Sequence, residues 1–238
     1  MSENFDSFEK FNESLKEVKF LIEKAEISQK AEISQKRNEG NIYLKLALIL
    51  LTAKFEAFLE NSILDYISAV NDFNLINTNI PETLKINHAL NFLDETKLLE
   101  KIKHKHKYSE VCEDLKNLSE LFGPSNNFNQ IKISNKFNYG AHGSNEIEKL
   151  FTKIGLYDIF EKILIYRYEI TIDINKKQLT KVDFKNIINR LTGIRNNILH
   201  QDNAISFTIK DLNEYCDYFQ QFSKRLIALL NEQISRLD

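Results

Sequence analysis

The chain has 238 residues, 42% of them apolar and 28% charged, with 32 Lys and Arg against 34 Asp and Glu for a formal net charge of −2. That composition excludes a disordered polymer and a global basic field, so any contact with nucleic acid has to come from a local patch. Six glycines and two prolines supply few turns, which argues for helices over a sandwich or barrel, and Cys112 and Cys216 lack the spacing of a disulfide framework or thiolate metal site.

Phe5, Phe8, Phe11, Leu15, Val18, Leu21 and Ile22 recur at spacings of three and four and predict an amphipathic first helix. The hexapeptide AEISQK at 25–30 is repeated at 31–36. Six residues leave the two copies about 120° out of phase on a helix, so Ile27 and Ile33 cannot share one buried face, and the repeat reads as an exposed lengthening of a helix end. Gly40 and Asn41 punctuate the chain, and 42–70 predicts a central helix packed on more than one side. Its phasing aligns Asn41, Lys45, Thr52, Glu56 and Glu60 in one polar stripe. The first reading of that stripe is solvent-facing surface; the second makes Glu56 a candidate groove-lining residue.

The longest greasy stretch, Ile42 to Leu51, falls well short of the about 20 residues a bilayer span needs. MSENFDSFEKFNES at the start has no apolar core of the signal-peptide kind, so the expected location is the cytoplasm, with no membrane partner. From 71 to 81 the composition is that of a loop, and helices are expected over 82–106 and 108–122, ended by Gly123-Pro124-Ser125-Asn126-Asn127. The stretch to Gly143 reads as a long surface connection. Helices are predicted again over 146–154 and 157–166, then an isolated extended run at 168–174 with no partner strand. Two helices close the chain, one over 181–199 and one from Thr208, whose pairing with Asp211 resembles a capping box. The expectation is an all-α helical bundle, one domain over 1–238 with 72–145 as an insertion of short helices and loop.

Lys101, Lys103, Lys105 and Lys107 form the densest positive run and are candidates for RNA-backbone contact, set against a solvated helix end. His104 and His106, at i and i+2, point to nearly opposite sides of a helix and make a poor metal site. His88 and His142 read as ordinary surface or loop residues. No metal site and no cofactor is expected.

The segment Asn189 to Asp202 differs. Counting about 100° per residue from Phe184 puts Ile188, Leu191, Ile194, Ile198 and Leu199 in one apolar arc with Arg195 near its middle. A guanidinium there has to face a carboxylate, a phosphate, or a cleft between two copies of the helix. Asn196 and His200, at i and i+4, share the adjacent face and can hydrogen-bond each other. Arg195 and His200 lie about 140° apart on an ideal helix. They converge on one ligand only if the helix ends near Leu199 and His200 swings back, or if two protomers pack these helices together.

At Arg195-Asn196-Asn197-Ile198-Leu199-His200 the chain resembles the HEPN superfamily of all-α proteins, whose mark is R-x4–6-H with a polar residue after the Arg. LILLTAKFEAFLENSILDYI at 48–67 is similar to the second helix of stand-alone HEPN nucleases. The resemblance covers 184–205 well and 44–67 loosely. It implies a metal-independent endoribonuclease acting as a homodimer, a toxin or antiviral defence effector with RNA as substrate and an antitoxin or defence-system protein as partner. Arg195, Asn196 and His200 are then the catalytic candidates: histidine titrates near neutrality and suits proton transfer, while arginine suits the phosphate charge. Asp202 stands where some members carry a Tyr that a partner enzyme modifies, so that control is not expected. The rival reading is a non-catalytic HEPN module binding a partner protein or nucleotide.

Overall fold

The computed structural model describes residues 5–30, 34–72, 80–93, 103, 107–123, 130–137, 143–171, 176–201 and 206–237. Eight helices and one hairpin occur among them: α1 (Asp6–Gln29), α2 (Ser34–Asp72), α3 (Glu82–Phe92), α4 (Tyr108–Phe122), α5 (Ser144–Thr152), α6 (Ile159–Lys162), β1 (Ile165–Thr171), β2 (Lys176–Val182), α7 (Phe184–Gln201) and α8 (Ile209–Ser235). The fold is the all-α bundle that glycine and proline scarcity implied.

Helices α1 and α2 form an antiparallel pair. Near one end, the backbone N–H of Ser7 donates to Asp65 Oδ2 at 2.9 Å, so a carboxylate of α2 serves an otherwise orphan donor at the α1 N-terminus. At the other end Gly40 does not break the helix as its sequence position suggested. It lies inside α2 facing α1, where a Cβ would stand 2.9 Å from Gln29 Cγ and 3.1 Å from the Ala25 carbonyl oxygen. Close approach of the two helices requires it. The first hexapeptide copy ends α1 with Ile27 exposed, while the side chains of 31–37 lie outside the described residues.

The core centres on Phe55 of α2. Its ring meets Phe11 of α1, Phe184 of α7, and Phe219 and Phe222 of α8, at centroid distances of 4.3 to 6.1 Å. Leu48, Leu59, Ile63, Leu226 and Leu230 extend the buried seam. Helix α8 begins with the expected capping box, Asp211 N–H donating to Thr208 Oγ1 and Thr208 N–H to Asp211 Oδ2.

Four further expectations are corrected. The helix expected over 157–166 shrinks to Ile159–Lys162, because Gly155 (φ 81°) and Asp158 (φ 54°) take left-handed backbone and turn the chain around it. The run at 168–174 does have a partner: β1 pairs antiparallel with β2, with Ile165 opposite Val182. The sequence of β2, KKQLTKV, shows too little apolar alternation to announce a strand, as suits an edge hairpin. Residues 130–137 are a docked strap rather than a surface connection. Asn71 holds Ile131 from both sides, Nδ2 donating to its carbonyl at 3.1 Å and Oδ1 accepting from its N–H at 2.8 Å, and Ile131 and Ile133 are buried. His88, finally, is fully buried: its Nδ1 accepts from Lys132 N–H at 2.8 Å, and burial pushes its pKa down to about 4. Residues 94–102 and 104–106, the end of the helix expected over 82–106, and His142 lie outside the described residues.

Since five aromatic rings share the Phe55 contact, Phe55→Ala should cost about 3–5 kcal/mol of stability by urea unfolding, far more than a substitution at exposed Phe20.

Candidate active site around Arg195

Helix α7 enters the bundle through Phe184 and buries Ile188 and Leu191 against α2 and α8. One and two turns later the same face brings Arg195 to α2. There its Nη1 donates to Glu56 Oε1 at 2.9 Å, with side-chain exposures of 17% and 20%. The carboxylate required opposite a guanidinium in an apolar arc is therefore Glu56. The stripe on α2 is solvent-facing only at its start: Asn41 is exposed and Lys45 half-buried, whereas Thr52 is buried, Glu56 takes Arg195, and Glu60 takes the strap. Glu60 Oε1 accepts from Phe137 N–H at 3.0 Å, and its Oε2 pairs with Lys136 Nζ at 2.6 Å.

Behind the pair, Thr52, Phe55, Ile188, Leu191 and Phe219 line, with Glu56, a half-open pocket of about 20 Å³. That is about the room of one water, so nothing the size of a nucleotide enters from the core side, and a ligand has to reach Arg195 from its outer edge. Arg195 Nε is buried and meets no hydrogen-bond acceptor among the described residues. Burial pushes the Glu56 pKa up to about 7, Arg195 opposing the shift and Glu60 adding to it. At neutral pH the carboxyl thus exchanges between a charged and a neutral acceptor for the same donor.

Asn196 and His200 are exposed, and among the described residues neither side chain hydrogen-bonds the other; both face solvent, where water competes for that contact. Helix α7 continues through His200 to Gln201, so His200 does not swing back toward Arg195. Within one protomer the two stay on different faces. Asn189, on the same helix, accepts from Ser144 N–H at 2.9 Å and ties the start of α5 to it. Of the basic run, Lys103 is exposed and Lys107 half-buried at the start of α4, while Lys101 and Lys105 lie outside the described residues, as does Asp202.

The phasing of 42–70 located Glu56 without identifying its partner. The usable signal was a carboxylate within the most apolar helix facing a misplaced arginine in another. Glu60's hold on the strap had no such counterpart, since one partner is the Phe137 backbone N–H and the other, Lys136, stands 76 residues away in a stretch that reads as loop.

Opposed titrations follow. Glu56, raised from 4.5 to about 7, contributes stability that is full below pH 4.5 and lost as pH rises through 7. His88, lowered from 6.5 to about 4, contributes stability present above pH 6.5 and lost as pH falls through 4. The two slopes oppose each other between pH 4.5 and 6.5. Glu56→Gln should remove one of them, so that the melting temperature climbs from pH 4.5 to 6.5 more steeply than in the wild type. Parallel melting curves for the two proteins across that range would contradict the burial of a titrating Glu56.

Helix α7 carries the R-x4-H segment on a helical bundle, and no described helix is long and apolar enough to cross a membrane. No curated protein and no solved structure gives a significant match to the chain. A family model does: the one described as HEPN_RiboL-PSP, RiboL-PSP-HEPN, matches residues 9–232. The chain belongs to the RiboL-PSP-HEPN family of the HEPN superfamily.

Proposed function

We propose that the chain is a metal-independent endoribonuclease whose site is composed across a homodimer. The observation that carries this reading is the state of the two motif residues on one uninterrupted helix. Arg195 is immobilised by a half-buried carboxylate, and His200 stands exposed about 140° away. Two antiparallel copies of α7 bring one protomer's Arg195 to the other's His200. The faces beside the pair suit such packing: Leu46 and Leu64 on α2 and Leu199 on α7 are each about half exposed, with Ala53 and Ala57 exposed between the α2 leucines.

In the reaction, the RNA 2′-hydroxyl gives its proton to one His200 as its oxygen attacks phosphorus. The bond to the 5′-oxygen breaks, and that oxygen takes a proton from the second, protonated His200. The products are a 2′,3′-cyclic phosphate and a 5′-hydroxyl. Glu56 holds Arg195 through Nη1 and leaves Nη2 for a phosphate oxygen carrying the extra negative charge. Asn196, beside Arg195 on the exposed face, orients the substrate. A toxin or defence role with a neutralising partner is part of this proposal and rests on the family alone.

The Glu56 contact also favours a second reading, a non-catalytic module in which Arg195 is a structural ion-pair partner. His200 separates the two, because it is exposed and holds nothing together. The purified protein in EDTA should cleave a mixed RNA pool to 2′,3′-cyclic ends, and His200→Ala should lower the rate at least 100-fold with an unchanged melting temperature. Intact RNA with wild-type protein would favour the module. Arg195→Ala is the poorer probe, since it leaves Glu56 without its partner and costs stability. Sedimentation equilibrium at micromolar concentration should show a dimer, and Leu46→Glu should dissociate it and reduce cleavage in parallel.

A further inference from the structure

A second concavity runs along the opposite side of α8 from Phe219. Between α1 and α8 a groove of about 870 Å³ is lined by Asn12, Lys16, Lys19, Gln220 and Lys224 among others. It continues into a pocket of about 430 Å³ under the β1–β2 hairpin, the two sharing Asp217 and Gln221. Gln221 fixes the junction, its Nε2 donating to the Tyr166 carbonyl at 3.0 Å and its Oε1 accepting from Tyr166 N–H at 3.2 Å. The hairpin is thereby clamped to α8 and the pocket is preformed. In it the Arg225 guanidinium lies over the Tyr166 ring, 5.4 Å from its centroid, with Arg167 and Tyr218 alongside.

The chemistry of the furrow departs from that of the chain. Lys16, Lys19, Arg167, Lys224 and Arg225 stand against Glu214 and Asp217, in a protein whose overall charge is −2. Lys16 also pairs with Glu13 on its solvent side, and Glu214 accepts from the Tyr218 hydroxyl. Asn12 adds a buried amide oxygen with no hydrogen-bond partner in the groove wall. Spaced cations beside a ring with a guanidinium over it suit a strand that offers phosphates at intervals and bare bases to stack. A duplex offers the phosphates and hides the bases.

We propose that this furrow binds a single-stranded stretch of RNA outside the Arg195/His200 site, Lys19 and Lys224 contacting backbone phosphates and Tyr166 with Arg225 stacking on a base. Asp217, at the junction, accepts from ribose hydroxyls or base amino groups. The proposal rests on RNA being the substrate, and it gives the enzyme a hold on the strand away from the cut.

The test is fluorescence anisotropy with a labelled 15-nucleotide oligouridine, in a His200→Ala background so that no probe is consumed. Lys19→Gln/Lys224→Gln should weaken binding at least tenfold and reduce the slope of log affinity against log salt by about 1.4, two single-strand phosphate contacts. Tyr166→Ala should weaken it about tenfold. Lys85→Gln/Lys116→Gln, equal in charge and placed on α3 and α4, should change neither quantity. Melting curves confirm that each variant is folded. Equal affinity and slope for the two lysine pairs, an inert Tyr166→Ala, or tighter binding of duplex RNA would overturn the assignment. Furrow-dependent binding by a protein whose wild type cuts no RNA would sink the nuclease reading and leave the furrow standing.

Discussion

Phe55 and Glu56 are consecutive on α2, and the site depends on that adjacency. The Phe55 ring is wedged among aromatic side chains from α1, α7 and α8, so the backbone that carries Glu56 is held by the centre of the core. Phe184 locks the entry of α7 to the same cluster, and Arg195 then reaches α2 three turns later at the height of Glu56. The ion pair inherits its geometry from packing. Interiors at crystal-like density deform little, which makes this a firm mount for the guanidinium that meets a phosphate in the proposed reaction.

Much of this was legible because it is periodic or capped. The long apolar helix, the amphipathic first and last helices and the capping box at Thr208 all express themselves in spacing, and the structure follows them. Arg195 was legible for the converse reason, being a charge where the period asks for an apolar residue. What escaped lies where the determinant is remote in sequence. The strap at 130–137 is fixed by Asn71, His88 and Glu60, 44 to 77 residues away, through backbone groups that no side-chain pattern reveals. The hairpin escaped because β2 is lysine-rich, so its pairing is written in backbone hydrogen bonds. Gly40 reads as a break until α1 is seen lying against it.

Helix α8 organises the molecule by having two unlike sides. Toward Phe55 and Phe184 it presents Phe219 and Phe222; on the opposite side Asp217, Gln221 and Lys224 face the furrow. The polar side is structural as well, since Gln221 satisfies both backbone groups of Tyr166 on β1. The hairpin therefore needs little apolar surface of its own to stay in place, which is the physical reason a lysine-rich strand can belong to this fold.

The Glu56–Arg195 pair is hard to explain as a device for stability. Taking two charged groups out of water costs several kcal/mol each, and well-packed apolar residues in their place are commonly neutral or better. Glu56 shows part of that cost in its pKa, raised to about 7 even with a guanidinium at 2.9 Å, and Arg195 shows another part in a buried Nε without an acceptor among the described residues. A bundle selected for rigidity alone would fill these two positions with leucine and isoleucine like their neighbours. A pair that is costly, held rigidly, incompletely satisfied and placed five residues before an exposed histidine is better accounted for by work at its outer edge than by what it adds to the fold.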